Sequence, residues 1–390
     1  MAFNPLITSK HICDTYRRYI LSTFETDSEK YNQQLRNILE KDDTIMQGPY
    51  VQIAHNYPSS VRMQELIDQG LLSKEFVRMN YRPFLDRKLY IHQEAAIRKI
   101  NEGRNIVVST GTGSGKTECF LIPVLNHLMR EKENGTLCPG VRIMLLYPLN
   151  ALVNDQLERM RDVLKNYPDI TFGTFNIDTK ETKAEANARD NGLVNRLPNE
   201  IYDRETFRKT PPHIMITNYA MLEHLLIKPN NSPLFGDPVK NHWRFIVLDE
   251  AHTYGGSKGS EVSMLLRRLK TTLGKDNIRF ILTSATLGNE GQDAEVADFA
   301  SKLCSSEFHS EDVIRAQYIP MQEPDVPVSL GLEFYGDVSK IVEGHDVEGR
   351  LADYLKQKGF CYDEPRKNLY DLIYNDPLIH RLVEILDKSP

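Results

Sequence analysis

The segment Ser109–Thr117 reads Ser-Thr-Gly-Thr-Gly-Ser-Gly-Lys-Thr, and it constrains the fold of this chain more than any other segment. The preceding residues Asn105–Val108 are short and β-branched, which predicts a buried strand. The following residues Glu118–Leu128 place apolar side chains at helical spacing. A strand, a glycine-rich turn and a helix are the local structure that a phosphate-binding loop needs. The alternative interpretation is a glycine-rich turn that arose by chance.

The residue types in this loop suit a nucleoside triphosphate and its magnesium ion. Glycine accepts positive φ, so successive backbone N–H groups can point at one anion, and the start of a helix adds partial positive charge. Lys116 is expected to reach the β- and γ-phosphates, and the hydroxyl of Thr117 to take one position on Mg²⁺. The first position of the G-x-x-x-x-G-K-[ST] pattern is occupied by threonine, so the strict pattern is not met. The residues predicted to bind ATP here are Thr110, Gly111, Thr112, Gly113, Ser114, Gly115, Lys116 and Thr117.

The overall composition predicts a globular protein that is not embedded in a membrane. A chain of 390 residues usually forms two or three domains, and 40% hydrophobic residues suffice for their cores. The 48 basic and 54 acidic residues give a net charge of -6, so any binding to nucleic acid would rest on a local surface. Five scattered cysteines without a Cys-x-x-Cys pair argue against a zinc site and against a disulfide framework. Because no apolar run approaches ~18 residues, we predict a cytoplasmic protein.

The pattern of apolar residues predicts three regions. Residues 1–82 are expected to form a helical accessory region whose apolar stripes serve either packing or partner binding. Residues 83–318 alternate buried strands with helices, which predicts an α/β domain with a doubly wound parallel sheet and ligands at the carboxyl ends of its strands. Residues 319–390 are expected to form a linker followed by helices. The predicted strands are Asn105–Ser109, Arg142–Tyr147, Ile170–Phe175, His213–Thr217, Phe245–Leu248 and Arg279–Thr283.

Two further motifs each come directly after a predicted strand. In the first, Asp249 is expected to hold the water shell of Mg²⁺ opposite the loop threonine, and Glu250 to orient and deprotonate the attacking water. His252 is expected to form a hydrogen bond to the other motif, which is the third motif of the chain. That motif contains Ser284 and Thr286, whose hydroxyls suit a link between the nucleotide site and a moving partner surface. Taken alone, an Asp-Glu pair or a Ser-Ala-Thr sequence would be a weak signal.

With these three motifs in this order, the chain resembles the first motor lobe of a superfamily 2 helicase of the DEAD/DEAH-box type. More specifically, the segments Tyr147–Gln156, Ile216–Glu223 and Asp249–Leu269 resemble the Ia, Ic and extended motif II segments of the bacterial YprA/MrfA-like helicases. The similarity covers roughly residues 80–318. The resemblance implies a RecA-like P-loop domain. It also implies ATP-driven movement on DNA, in DNA repair or in phage defence.

The resemblance also assigns roles to single residues. Gln93 matches the Q-motif glutamine, whose amide reads the edge of adenine. Two loops match those that lie on the nucleic-acid backbone, where such groups contact phosphates and sugars without reading sequence. Their residues are Pro148, Asn150 and Ala151 in the first loop and Thr217 and Asn218 in the second. Arg267 and Arg268 either add charge to this surface or belong to a solvated helix face, and residues 178–210 are polar enough to predict a mobile insertion.

The sequence contains one motor lobe and no recognisable second one. Beyond Thr286 about a hundred residues remain, and they include no Gln-x-x-Gly-Arg-x-Gly-Arg segment. We therefore expect this chain to bind ATP and Mg²⁺, to hydrolyse ATP slowly and not to unwind duplexes, with a second RecA-like lobe supplied in cis or by another chain. Two functions stay open. One is an ATP-driven DNA helicase or translocase, and the other is an ATP-dependent switch or assembly subunit that recruits protein partners through its terminal helices.

Overall fold

The computed structural model describes residues 5–41, 44–45, 56–111, 113–190, 196–289, 291–319, 326–342 and 344–387. The chain divides into two compact units. The larger unit is Tyr57–Ile319, and the smaller unit combines residues that precede Tyr57 with residues that follow Ile319. Thr112, one of the residues predicted to bind ATP, lies outside the described residues.

Helices and strands alternate through most of the described chain. The chain begins with α1 (Pro5–Thr23) and α2 (Glu29–Leu39). The larger unit then contains β1 (Ser59–Arg62), α3 (Met63–Asp68), α4 (Glu75–Met79), α5 (Arg82–Leu85), β2 (Lys88–Tyr90), α6 (Ile91–Asn101), β3 (Ile106–Ser109), α7 (Lys116–Glu133), β4 (Ile143–Tyr147), α8 (Asn150–Leu164), β5 (Phe172–Thr174), α9 (Lys183–Asp190), β6 (Glu200–Ile201), α10 (Arg204–Lys209), β7 (Ile214–Asn218), α11 (Tyr219–Ile227), β8 (Phe245–Leu248), α12 (Gly256–Leu273), β9 (Arg279–Ser284), α13 (Asp293–Cys304) and β10 (Val313–Arg315). The smaller unit ends with α14 (Gly331–Val342), α15 (Val347–Gln357), α16 (Pro365–Tyr374) and α17 (Pro377–Asp387). Among the helices described, none combines the length and apolar character that crossing a membrane requires.

The larger unit is built on one parallel sheet with the strand order β10-β3-β9-β8-β4-β7-β5-β6. Strands β1 and β2 form a separate antiparallel pair. This architecture confirms the predicted α/β fold class. All six predicted strands are present, with ends within two residues of the prediction. Strands β6 and β10 were not predicted, because two or three residues are too few to show a periodic pattern.

Helices cover both faces of this sheet. Leu145 and Val247 point to one face and pack in a core with α3 to α8. Their neighbours Leu146 and Leu248 point to the other face and pack with α10 to α13. Because both faces are buried, the strands read as continuous apolar runs. Polar groups can therefore reach solvent only where the strands end, and the carboxyl ends carry the predicted motifs.

The larger unit begins at Tyr57, whereas the sequence placed the start of the motor domain at residue 83. The intervening segment belongs to the sheet unit because its apolar side chains, among them Met63, Leu66 and Phe76, are fully buried in the core that contains α6 and α7. Helices α3 and α4 are only six and five residues long. Such short helices show too little periodicity for a domain boundary to be predicted from sequence.

A buried carboxylate joins this segment to the rest of the unit. Glu75 Oε2 accepts a hydrogen bond from the Tyr167 hydroxyl at 2.5 Å and lies 3.2 Å from Lys132 Nζ, and Arg78 contacts Glu75 Oε1 at 2.8 Å. Burial alone would raise the pKa of Glu75, but the hydrogen bonds from these three partners outweigh burial and lower the pKa to about 2. Glu75 is therefore ionised at neutral pH and connects α4 to α7 and to the loop after α8.

The segment 178–210, predicted to be a mobile insertion, contains α9, β6 and α10 in its described part. Arg161 on α8 makes a bidentate ion pair with Glu200 on β6, at 2.6 and 2.8 Å. Phe207 on α10 is fully buried. The described part of this segment therefore packs on the edge of the sheet. The sequence did not show this because the stabilising ion pair joins residues 39 positions apart.

The smaller unit has its own core between α14 and α15. Asp376 is fully buried and accepts hydrogen bonds from the Tyr335 hydroxyl at 2.6 Å and from the N–H of Leu378 at 2.9 Å, which ties α14 to the start of α17. By contrast, Ile12 and Tyr16 on α1 are 63% and 51% exposed. The predicted apolar stripe of α1 is therefore not a buried packing face.

Replacing the buried carboxylate should destabilise the larger unit. Glu75→Gln removes the charge that Tyr167, Arg78 and Lys132 stabilise, and we expect a loss of roughly 1–3 kcal/mol at pH 7. Because the pKa in the folded state, about 2, lies below the ordinary 4.5, this contribution is present above pH 4.5 and is lost as the pH falls toward 2. Thermal unfolding of both proteins from pH 7 to pH 3 measures the difference. Glu102→Gln at the exposed end of α6 is the control, and equal Tm values for Glu75→Gln and the native chain at pH 7 would contradict the assignment.

Candidate nucleotide and nucleic-acid site

The phosphate-binding loop connects β3 to α7 at the carboxyl edge of the sheet. Gly113 and Gly115 adopt φ of +77° and +74°, the left-handed region that glycine tolerates. The hydroxyls of Thr110 and Ser114 are 2.6 Å apart, and Lys116 Nζ donates to the Thr110 carbonyl at 3.3 Å. Gly113 and Gly115 therefore have the positive φ expected of this loop, whereas Gly111, for which positive φ was also predicted, does not. Lys116 is folded back onto Thr110.

Helix α6 holds the loop through two side chains. His92 Nε2 lies 2.8 Å from the Ser114 carbonyl, and Gln93 Nε2 donates to the Gly115 carbonyl at 3.1 Å. Gln93 Oε1 also accepts from the N–H of Tyr90 at 2.9 Å. Burial lowers the pKa of His92, so the neutral imidazole contacts the loop at neutral pH. The Gln93 amide keeps one N–H and one lone pair with which to bind a ligand.

A cavity of about 390 Å³ lies beside the loop. Gln93, Lys116 and Thr117 contribute to one part of its lining. The segment between α5 and α6 contributes another part, through Pro83, Phe84, Arg87, Lys88, Leu89 and Tyr90. Gly115 has a φ of +74°, and a Cβ atom there would displace the Gln93 amide, so both observations favour glycine at this position. The lysine, the hydroxyl and the glycine backbone fit a nucleotide bound through its phosphates with Mg²⁺.

Two tyrosines lie over Gly111 in the same loop. A Cβ atom at Gly111 would be 3.3 Å from Tyr57 Oη and 3.8 Å from Tyr318 Oη. The two tyrosine rings are 5.5 Å apart, and Tyr57 also packs against Tyr90 and His92, each at 5.4 Å between ring centroids. The two ends of the larger unit therefore meet at the phosphate-binding loop.

Asp249 and Glu250 follow β8, which is two strands away from the loop. Strand β9 lies between them, so the backbones of β3 and β8 are roughly 10 Å apart. Asp249 Oδ1 accepts hydrogen bonds from the Thr283 hydroxyl on β9 and from the N–H of Glu250, the latter at 3.0 Å. Among the described residues Asp249 Oδ2 has no such partner, which suits a carboxylate that binds the water shell of Mg²⁺. The Ser284 carbonyl of β9 accepts from the N–H of Thr110 at 3.1 Å, so β9 positions both motifs.

Glu250, His252 and Ser284 form one contiguous group of polar side chains. Glu250 has a φ of +51°, an uncommon value for a residue other than glycine. His252 Nδ1 lies 3.3 Å from Glu250 Oε2 and 3.0 Å from Ser284 Oγ. The predicted contact between His252 and the third motif is therefore present. Thr286 joins the group through its backbone N–H, which donates to Ser284 Oγ at 3.2 Å.

The two loops predicted to contact nucleic acid are neighbours, because β4 pairs with β7. Asn218 Nδ2 donates to Asn150 Oδ1 at 2.5 Å, and Asn218 also caps α11 by accepting from the N–H of Met221 at 2.7 Å. Ala151 is exposed, and the two asparagines are partly exposed. These three residues lie together beside the strand that ends at Asp249, and the two asparagines supply the polar groups.

Pro148 and Thr217, also predicted to contact nucleic acid, do not present their side chains to solvent. Thr217 is fully buried, and its hydroxyl donates to the Phe175 carbonyl at 2.6 Å. Pro148 is buried as well. Both side chains instead pack inside the protein at the base of the two loops, because each residue lies where a buried strand ends. Leu149, which the sequence did not single out, is 62% exposed on the same edge.

The arginine pair on α12 makes contacts within the protein. Arg267 Nε donates to Ser305 Oγ at 2.6 Å, and Arg268 lies 3.8 Å from a carboxylate oxygen of Glu223 on α11. These contacts account for both arginines without a ligand and favour the helix-face interpretation.

Two side chains of the site gave no signal in the sequence. Thr283 holds Asp249, but a strand threonine is recognisable as a partner only when the strand pairing is known. Arg159 on α8 donates to Glu118 on α7 at 2.6 Å, and both residues line the cavity beside the loop. Their contact joins residues 41 positions apart, which sequence spacing cannot reveal.

Comparison with known proteins places this geometry in a family. The model of the DEAD/DEAH box helicase family matches residues 90–294. The chain is 27% identical to the Druantia protein DruE of Escherichia coli over 72% of this chain and 20% of that protein. It is 33% identical to the ATP-dependent helicase YprA of Bacillus subtilis over 52% of this chain and 23% of that protein. The chain thus spans about a fifth of the length of these two relatives.

Solved structures support the same placement. A crystal structure of the helicase MrfA bound to DNA matches with 27% identity and a TM-score of 0.50, over 67% of this chain and 29% of that one. The complex of MrfA with DNA and AMPPNP shares the fold, with a TM-score of 0.51 at 24% identity. The family model covers more than half of the chain and includes the phosphate-binding loop, Asp249 and Ser284. The chain therefore belongs to the DEAD/DEAH box helicase family.

Proposed function

We propose that the chain is the ATP-binding lobe of a DNA helicase or translocase, completed by a second RecA-like lobe in cis or in another chain. One observation carries the proposal. The strand order β3-β9-β8-β4-β7 brings Lys116, Asp249 and Glu250 to the edge of the sheet that also carries the Asn150–Asn218 pair. The naming of YprA as an ATP-dependent helicase and the DNA bound to MrfA support it. A role in DNA repair or antiviral defence follows from the family resemblance.

Phosphate binding, metal binding, water activation and base recognition each have a candidate side chain at this edge. Bound Mg²⁺ would neutralise charge on the β- and γ-phosphates. Lys116 would leave its carbonyl partner and bind the phosphates, while Thr117 and Asp249 hold the ion or its water molecules. Glu250, fixed on its left-handed backbone turn, would orient the attacking water and accept its proton. Gln93 would contact adenine with the N–H and the lone pair that the loop leaves unused.

The link from hydrolysis to movement would run through the polar group of Glu250, His252 and Ser284 at the end of β9. His252 touches both Glu250 and Ser284, so a change at the γ-phosphate would reach the third motif through one imidazole ring.

Asn150, Ala151 and Asn218 would lie on the DNA backbone and contact phosphates and sugars without reading sequence. The overall charge of -6 restricts such binding to this local edge.

A second candidate function is an ATP-dependent assembly subunit without motor activity. It is favoured by exposed apolar residues on the terminal helices. Leu378 and Leu382, one helical turn apart on α17, are 48% and 47% exposed, in addition to Ile12 and Tyr16 on α1. This function predicts nucleotide-dependent complex formation with little affinity for DNA. The motor function predicts salt-sensitive DNA binding.

Two substitutions test the ATP site. Lys116→Ala removes the charge that binds the phosphates and should raise the Kd of ATP·Mg²⁺ by roughly 10- to 100-fold. Glu250→Gln should keep ATP bound and lower the hydrolysis rate by about 10²–10⁴-fold, because the amide cannot accept the water proton. Fluorescent-nucleotide binding and phosphate release measure these effects. Lys74→Ala, at the exposed start of α4, is the control, and unchanged ATP affinity in Lys116→Ala would show that the site is assigned wrongly.

A matched pair of substitutions at one exposed position tests the DNA surface. Ala151→Glu places a negative charge beside the proposed phosphate path and should weaken binding of a single-stranded DNA oligonucleotide roughly fivefold, since one charge contact is worth about 1 kcal/mol in water. Ala151→Lys should preserve or strengthen binding. Fluorescence anisotropy at two salt concentrations measures both. Equal DNA affinities for the two variants would favour the assembly subunit.

A further inference from the structure

The cavity beside the phosphate-binding loop contains an ion pair for which the proposed hydrolysis has no use. Arg159 Nη2 donates to Glu118 Oε1 at 2.6 Å. Each partner keeps a second polar atom, Arg159 Nε and Glu118 Oε2, that is shielded from solvent and has no hydrogen-bond partner in the described part of the chain. A shielded polar atom without a partner is unfavourable, and most such atoms in native proteins are satisfied by a ligand or water. The pair therefore has one hydrogen-bond acceptor and one donor that the described part of the chain leaves unsatisfied.

The position of this pair identifies the part of a nucleotide that it would meet. Both residues line the cavity together with Gln93 and Lys116. Glu118 Oε2 lies 3.0 Å from the position of a Cβ atom at Gly115, and the Gln93 amide nitrogen lies still closer to that position. Glu118 and the adenine-reading glutamine are thus neighbours across one glycine. A base that contacts Gln93 would bring its next functional group to Glu118.

We propose that Glu118 and Arg159 determine base specificity by binding the Watson–Crick edge of adenine. This inference rests on the proposed ATP site and adds its specificity. Adenine carries an amino donor at position 6 and an acceptor at N1, which match the Glu118 carboxylate oxygen and the Arg159 N–H. Guanine and hypoxanthine carry the opposite order, a carbonyl at position 6 and an N–H at N1. A carboxylate can only accept a hydrogen bond, so a 6-oxo purine would leave both protein groups unpaired.

The two residues have different parts in this recognition. Glu118 contacts the base amino group directly. Arg159 holds the carboxylate in place through Glu118 Oε1, neutralises its charge near the bound triphosphate and supplies the N–H for N1. Gln93 keeps the N7 side of the base. If the ion pair served only to join α7 to α8, its removal would weaken the binding of every nucleotide equally. A comparison of the affinities for two nucleotides therefore distinguishes this role from base recognition.

The test compares ATP with ITP, which differ at position 6 and at N1 of the base. Displacement of a fluorescent ATP analogue from the 390-residue chain, with Mg²⁺ present, gives both dissociation constants. We expect ATP to bind at least about tenfold more tightly than ITP. In Glu118→Gln the ratio should fall toward one, because the carboxamide can donate to the 6-oxo group. Arg159→Lys should also lower the ratio, and Arg82→Gln in the exposed Arg82–Asp86 pair should leave it unchanged.

The outcomes separate this inference from the proposed function. A high ratio in the native chain that falls in both variants, with unfolding temperatures near the native value, supports base reading by the pair. Equal binding of ATP and ITP by the native chain overturns the inference but leaves the triphosphate site intact. A native ratio of ITP to ATP dissociation constants that persists in Glu118→Gln, or an equal loss of affinity for ATP and ITP, also overturns it. Failure of either nucleotide to bind would overturn both this inference and the proposed function.

Discussion

The alignment of three parallel strands, β3, β9 and β8, is the constraint on which the rest of the site depends. The last two residues of β9 make the critical contacts. Thr283 donates to Asp249 on one side, and the Ser284 carbonyl accepts from Thr110 of the phosphate-binding loop on the other. The ladder register, which pairs Val108 with Thr283, makes these strands end together. A shift of one residue would turn the side chains of a strand to the opposite face and separate the loop from the Asp249 carboxylate.

The sheet and the nucleotide site were largely predictable from sequence because their signals are local. A buried strand is a short apolar run, and a phosphate-binding loop is a run of glycines ending at Lys116 and Thr117. The contacts that complete the site are not local. Thr283 with Asp249 and Arg159 with Glu118 each join residues far apart in the chain, and only the folded structure brings them together. The same holds for Glu75 with Tyr167, which joins elements of the fold outside the site. The buried side chain of Thr217 was not predicted either, since a family motif marks a position but not which way its side chain points.

Several side chains proposed to contact a ligand already make hydrogen bonds within the protein. Gln93 binds the Gly115 carbonyl and the N–H of Tyr90 before any nucleotide arrives, and Asn218 caps α11 while it contacts Asn150. Such side chains are already held in one conformation, so ligand binding costs little further side-chain entropy. These double contacts make the side chains hard to study by substitution, because removing one disturbs the loop as well as the proposed ligand contact. Exposed neighbours such as Ala151 report on the surface more cleanly.

The meeting of Tyr57 and Tyr318 above Gly111 has a consequence for how this unit can be carried in a polypeptide. The chain enters the unit and leaves it at nearly the same place, with the two rings 5.5 Å apart. A unit whose ends are adjacent can be inserted into another protein as a cassette, without stretching the host chain around it. Here the two ends meet over Gly111, so a host chain would be joined to the unit beside its phosphate-binding loop.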